Sequence, residues 1–160
     1  MSIHSKMDIL DENDNIVYKV VSKALSIYDK THIMDANDNE IAYIHAKAIS
    51  IHQVHYVEMT SGKKFEVKVK LGHPFKNQLE IKELGWKIEG EFAAHNYSIM
   101  NEKGDVIANA HIKWFSLHNI YYVDILDESQ KELIIAAYIV LEHMLANNES
   151  ADADISATQN

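Results

Sequence analysis

Lysines, and histidines with serines two positions before them, are the residues of this 160-residue chain whose types and spacing could do chemistry. The strongest charge asymmetry lies between Lys63 and Lys87. There seven lysines (63, 64, 68, 70, 76, 82 and 87) stand against Glu66, Glu80 and Glu83, a local excess of four positive charges on a chain of net −9. Lys64, Lys68 and Lys70 alternate with Phe65, Val67, Val69 and Leu71, so on a strand they project from one face, and Lys76 follows in the loop after Pro74. A positive face on an acidic protein concentrates an anionic ligand. The plainer reading is that outward strand positions carry lysine to stay soluble and resist pairing. Lys64, Lys68, Lys70 and Lys76 are the candidate ligand-binding residues, suited to an anionic lipid or another phosphate-bearing group.

Ten histidines invite a metal or catalytic reading. Ser50 precedes His52 by two positions and Ser116 precedes His118 likewise, so each pair shares a strand face, and an acid such as Asp124 would complete a hydrolase-like set. A nucleophile also needs an oriented base and an oxyanion hole, and no G-x-S-x-G elbow is present. His52 and His55 are three apart, which on a strand sends them to opposite faces and spoils them as joint ligands. Asp11-x-Asn13-x-Asn15 and Asp35-x-Asn37-x-Asn39 open like calcium loops. Ile16 and Glu40 stand where the loop needs glycine, and Ser22 and Ala46 where it needs glutamate, so both read as turns. His95 and Trp86 have no identifiable chemical partner, and Trp86, Tyr97, Trp114 and Phe115 read as core or wall residues. No P-loop, dinucleotide fingerprint or zinc-protease helix appears. No catalytic residue, metal site or cofactor is expected.

Composition narrows the partners. Hydrophobic residues at 47% and charged residues at 24% are those of an ordinary globular domain. Cysteine is absent, which removes disulfides and thiolate chemistry. All fifteen bases are lysine, against 24 acids, and general nucleic-acid binding is excluded because that affinity comes from neutralising phosphates. Abundant Lys, Asn and Ile without arginine suggest an AT-rich bacterial genome. The longest apolar run, Leu133 to Leu141, is about half of the ~20 residues that span a bilayer, so no transmembrane segment is expected. Met1 to Asp8 shows no secretory apolar region, and the cytoplasm is the expected address.

These residues must be positioned by short elements. Clusters of Asn, Asp, Gly and Lys at 11–15, 35–39, 60–63, 101–105 and 127–130 are turn chemistry. Between them, period-two alternation predicts about a dozen strands from Ile3 to Leu126, with Pro74 in the connection from Leu71 to Gln78. Ser129 to Ala146 predicts one helix, capped by Ser129 or Asp127. Its apolar residues Leu133 to Leu141 occupy every face, which requires protein all round, with Glu132, Glu142 and His143 at its ends. Asn147 to Asn160 is polar and acidic and reads as a disordered tail.

A repeat runs through this pattern. Ile33 to Val57 aligns with Ile99 to Val123 at an offset of 66, with ten identities in 25 positions: Ile33, Met34, Ile41, Ala42, His45, Lys47, Ser50, His52, Tyr56 and Val57. Two copies of one hairpin unit in equivalent positions are expected. One face carries Ala42, Ile44, Ala46 and Ala48 in the first copy and Ala108, Ala110 and Ile112 in the second, small residues that leave room inside a barrel for a helix.

In IYDKTHIMDANDNEIAYIHAK, LGHPFKNQLEI, GWKIEGEFAAHNYSI and IKWFSLHNIYYVDI, followed by the apolar helix, the chain resembles the LURP-one-related family, which shares the C-terminal fold of tubby proteins and phospholipid scramblases. The likeness covers nearly all of residues 3 to 146. It implies a mainly β fold, a tubby-like closed antiparallel barrel of about twelve strands around a central hydrophobic C-terminal helix, as one domain over 1–146 with the tail at 147–160. Tubby domains bind phosphoinositide headgroups and scramblases act on membrane lipids. The resemblance therefore implies a non-enzymatic binding or scaffold domain, peripheral at a membrane, whose partner is anionic membrane lipid. A protein partner and the Ser/His hydrolase are the alternatives, and the oligomeric state is not legible.

Overall fold

Alternation of inward apolar and outward polar side chains builds eleven strands among the residues described by the computed structural model, which are 4–23, 30–49, 52–70, 77–114 and 119–157, with side chains over 6–22, 30–47, 52–69, 77–113 and 121–147. The chain divides into two units, Met1–His73 and Pro74–Asn160. The first is an antiparallel sheet of six strands paired in sequence order: β1 (His4–Leu10), β2 (Ile16–Lys23), β3 (Thr31–Asp35), β4 (Glu40–Ile49), β5 (His52–Met59) and β6 (Lys64–Lys70). The second holds β7 (Gln78–Ile81), β8 (Trp86–Glu91), β9 (Asn96–Met100), β10 (Val106–Trp114) and β11 (Asn119–Ile125), also antiparallel neighbours in order, followed by α1 (Lys131–Ala157). The fold is mainly β with one C-terminal helix. The connection holding Pro74 lies outside the described residues.

The Asx clusters make the turns that set the register. Asp11, Asp35 and Asn101 each use one side-chain oxygen to accept two backbone N–H groups, from Asn13 and Asn15, from Asn37 and Asn39, and from Lys103 and Asp105, all at 2.8–3.0 Å. The fourth residue of each loop, Asp14, Asp38 or Gly104, is left-handed, a conformation that Asp tolerates by local hydrogen bonding. The carboxylates of Asp11 and Asp35 are thus engaged by backbone, and Asn39 holds the Asp35 carboxyl below its ordinary range. These loops are turns, as their Asx chemistry predicts.

The repeat is a repeat of structure. β3, β4 and β5 correspond to β9, β10 and β11 in register: Ala42 faces Met59 as Ala108 faces Ile125, and His45 faces Tyr56 as His111 faces Tyr122. Even the irregularity recurs, since Met34 pairs Glu40 one step out of register and Met100 pairs Val106. The small-residue face is buried in both copies at Ala42, Ile44, Ala46, Ala108 and Ala110, while Ile112 is half-buried and the Ala48 side chain lies outside the described residues.

Asp127 caps a 3₁₀ turn, Glu128–Gln130, by accepting from the Ser129 N–H, and α1 follows directly. Every residue from Leu133 to Leu141 is buried, along with Met144 and Leu145. The helix runs on to Ala157, past the expected end at Ala146 and into the stretch read as a disordered tail. No glycine or proline stands between Lys131 and Ala157 to stop it, and absence of an apolar stripe does not itself end a helix. Glu142 and His143 are therefore interior residues of α1 and not terminal ones.

At Gly90 the backbone of β9 leaves no room for a side chain. Its φ is +148°, and a Cβ there would lie 2.4 Å from the Asn96 carbonyl oxygen and 2.6 Å from the Tyr97 Cα. Gly90→Ala is expected to cost about 2–3 kcal/mol through strain and overpacking, read as a lowered urea midpoint. An unchanged midpoint would contradict this contact.

Candidate functional site

Parity along the strand places Lys64, Glu66 and Lys68 on the outward face of β6, opposite buried Phe65 and Val67. Lys64 faces Glu58 across the ladder, with its Nζ 3.5 Å from Oε2, so its charge is partly compensated. Lys68 is exposed and makes no ion pair among the described residues. It faces Val54, and Val54 faces Lys47 of β4 on its other side, so one row across three strands reads Lys47, Val54, Lys68. In the next row His52 faces Lys70, whose side chain lies outside the described residues. Neither row contains a carboxylate. Glu66 and Glu58 lie further along, opposite Tyr56 and Lys64. Lys76 lies outside the described residues.

Rings line the same face. His32 stacks near Tyr43, Tyr43 on His45 and His45 on Tyr56, with centroids 5.0–5.4 Å apart, and the Lys47 ammonium lies 5.8 Å from the Tyr56 ring centre. His32 Nδ1 is bonded to Glu40 at 3.0 Å, whereas Nδ1 of His45 is buried without a hydrogen-bond partner. In the second unit His111 stacks on Tyr122 at 5.0 Å and Lys113 lies 4.9 Å from that ring. There Nε2 of His111 is 3.1 Å from Asp124. Such contacts between an ammonium and an aromatic face are individually modest at exposed sites.

Asp124, the acid of the hydrolase reading, is thus engaged with His111; Ser50, Ser116 and His118 lie outside the described residues. His52 is half-buried and His55 is buried, on opposite faces of β5 as their spacing requires. Among the described residues no three His, Asp or Glu side chains are grouped to hold a metal.

One constellation was not legible in the sequence. Glu142 of α1 is nearly buried, and its carboxylate accepts two hydrogen bonds: Tyr97 Oη donates to Oε1 at 2.8 Å, and His95 Nδ1 lies 2.7 Å from Oε2. With the carboxylate as acceptor, the imidazole proton sits on Nδ1. His95 is therefore partnered, contrary to the expectation of none, because that partner is 47 residues away in sequence. Tyr121 meets the His95 ring edge-on, and Tyr138 flanks Tyr97. Trp86 is core, as expected, while the Trp114 and Phe115 side chains lie outside the described residues.

The backbone carries a local signal for His95. Two 3₁₀ turns, Lys82–Leu84 and Phe92–Ala94, each end in a left-handed residue whose N–H returns to the start of the turn. Gly85 fills that position in the first and His95, at φ 50°, in the second. A side chain retained where glycine is easier points to its imidazole, which here reaches Glu142.

Burial first, then the Glu142 charge, push the Tyr97 phenol well above its ordinary range, so it stays protonated and donates. A folded-state pKa above the unfolded value gives stability that is complete below about pH 10 and lost as pH rises towards the folded value. Tyr97→Phe should accordingly flatten the fall of stability with pH above 10, measured by urea midpoints from pH 8 to 11. An unchanged slope would contradict the buried donor.

A family model described as LURP-one-related matches residues 1–142. Neither a curated protein nor a solved structure matches the chain.

Proposed function

The chain belongs to the LURP-one-related family, and from that premise we propose that it is a non-enzymatic binding domain for anionic phospholipid, engaged through the outward lysines of β6. The observation that carries this reading is that Lys68 is exposed and makes no ion pair among the described residues, opposite an apolar Val54 and beside a further row, His52 and Lys70, without a carboxylate. On an acidic chain such a lysine-bearing strand face is a local attractor for phosphate. Lys64 and Lys76 extend the set, as the charge excess around them suggests. The mode of contact proposed is peripheral, from the cytoplasmic side; no helix among the described residues is long and apolar enough to cross a membrane. The reading takes with it the closed, twelve-stranded tubby-like barrel that the family resemblance implies, supported by the burial of every residue from Leu133 to Leu141.

Co-sedimentation with neutral and with anionic vesicles, at low and moderate salt, tests the proposal. Binding is expected to anionic vesicles only and to weaken with salt, because screening shortens the reach of each charge. The triple replacement Lys64→Glu, Lys68→Glu, Lys70→Glu should weaken it by about a hundredfold, since each lysine near an anionic surface contributes ~1 kcal/mol. Absence of binding at low salt, or a triple variant that binds as before, would sink the reading.

A further inference from the structure

We propose that His52 is an anion-binding residue of the lysine face, and that its protonation makes this face hold phosphate more tightly as pH falls. The inference rests on the binding function proposed above for the source of the phosphate. Three histidines of the chain have their charge matched from within: His32 lies 3.0 Å from Glu40, His95 2.7 Å from Glu142 and His111 3.1 Å from Asp124. His52 has no such carboxylate. Its ring is half-buried and makes no hydrogen bond or ion pair among the described residues, yet neither of its nitrogens is buried. They are open to a group that arrives from solvent.

The groups around that ring are positive. His52 projects outward from β5 with Val54 and Tyr56, alternating with buried Gln53, His55 and Val57. Its cross-strand partners are Ile49 on β4 and Lys70 on β6, and its diagonal neighbours are Lys47 and Lys68, which flank Val54. Diagonal neighbours stand about 7–8 Å apart, within reach of long side chains. Lys47 and Lys68 are exposed, and neither makes an ion pair among the described residues, although the Lys47 ammonium lies 5.8 Å from the Tyr56 ring centre. The nearest carboxylate by ladder position on these three strands is Glu66, opposite Tyr56 and two rows from His52, about 13 Å along the sheet. His45 shares that row. A protonated His52 thus adds a positive charge beside two ammonium groups, and its counter-charge comes from outside the chain. A bound anion supplies it. Proton and anion then favour each other by the same factor, so affinity rises as the imidazole gains its proton and is lost as pH climbs through the imidazole range.

The test follows the His52 ring signals by NMR from pH 8 to 5.5 in sodium sulfate and in sodium chloride of equal ionic strength, since the charge of sulfate is constant over that range. Co-sedimentation with phosphatidylglycerol vesicles, whose phosphodiester charge is constant there too, is the second arm. The midpoint of the His52 titration should be higher in sulfate, that of His32 should be alike in both salts, and Lys68→Gln should lessen the difference. Vesicle affinity should rise by about fivefold between pH 8 and 5.5, as one added positive charge at an anionic surface gives. His52→Gln should remove most of that rise and His32→Gln should keep it, with melting curves confirming that each variant is folded. Equal His52 midpoints in the two salts, a difference undiminished in Lys68→Gln, or a His52→Gln protein whose vesicle binding still rises fivefold would each overturn the inference. If His52 responds to sulfate as expected while the vesicles remain unbound at every pH, the inference stands for a soluble anion and the lipid reading falls.

Discussion

Ile135→Lys is expected to leave no folded protein, and Ala137→Asp the same. Ile135 and Ala137 are buried, as is every other residue from Leu133 to Leu141, so no rotation of the helix can carry a new charge to water. An isolated charge moved into an apolar interior costs far more than the 5–15 kcal/mol by which domains are ordinarily stable, unless it is neutralised, and no charged partner for it stands among residues 133–141. Circular dichroism and a thermal melt of the soluble fraction give the answer. A soluble variant that melts like the parent would show that one face of α1 is open.

His95→Gly is expected to lower stability by about 3 kcal/mol, and Glu142→Leu to lose less. Glycine is chosen because it relaxes the left-handed backbone at this position, so the loss reports the imidazole alone. Removing the imidazole leaves the Glu142 carboxylate nearly buried with Tyr97 as its described donor, and breaking a buried pair from one side costs about 3–5 kcal/mol. Taking away the carboxylate instead leaves neutral donors, whose desolvation costs less. In the double variant the two losses should fall short of their sum, because the residues act as one unit. Urea midpoints for the four proteins measure this, and a His95→Gly variant within about 0.5 kcal/mol of the parent would mean that the cluster contributes nothing to stability.

The cluster and the lysine face differ in how they were encoded. Lys64 and Lys68 were legible as one face because a strand has period two and the alternating Phe65 and Val67 state which side is inward. Lys47 was not, since its place beside Lys68 depends on the pairing of β4 with β5 and of β5 with β6, and sequence spacing within one strand carries no information about its neighbours. His95 and Glu142 are further apart still, on a turn and on a helix. The only local hint was a histidine in the place that Gly85 fills in the matching turn, and that hint names no partner.

By itself the sequence determined the β-rich class, the Asx turns, the hairpin repeat and the helix that is apolar on every face, because each follows from residue type and period over a few positions. The tertiary structure alone decided which lysines share a row, which copy of the repeat keeps a carboxylate on its histidine, and that Glu142 lies inside the helix bonded to His95 and Tyr97. Those are relations between segments distant in the chain. They arise when hydrogen-bond ladders and burial bring the segments together, and no local pattern specifies them.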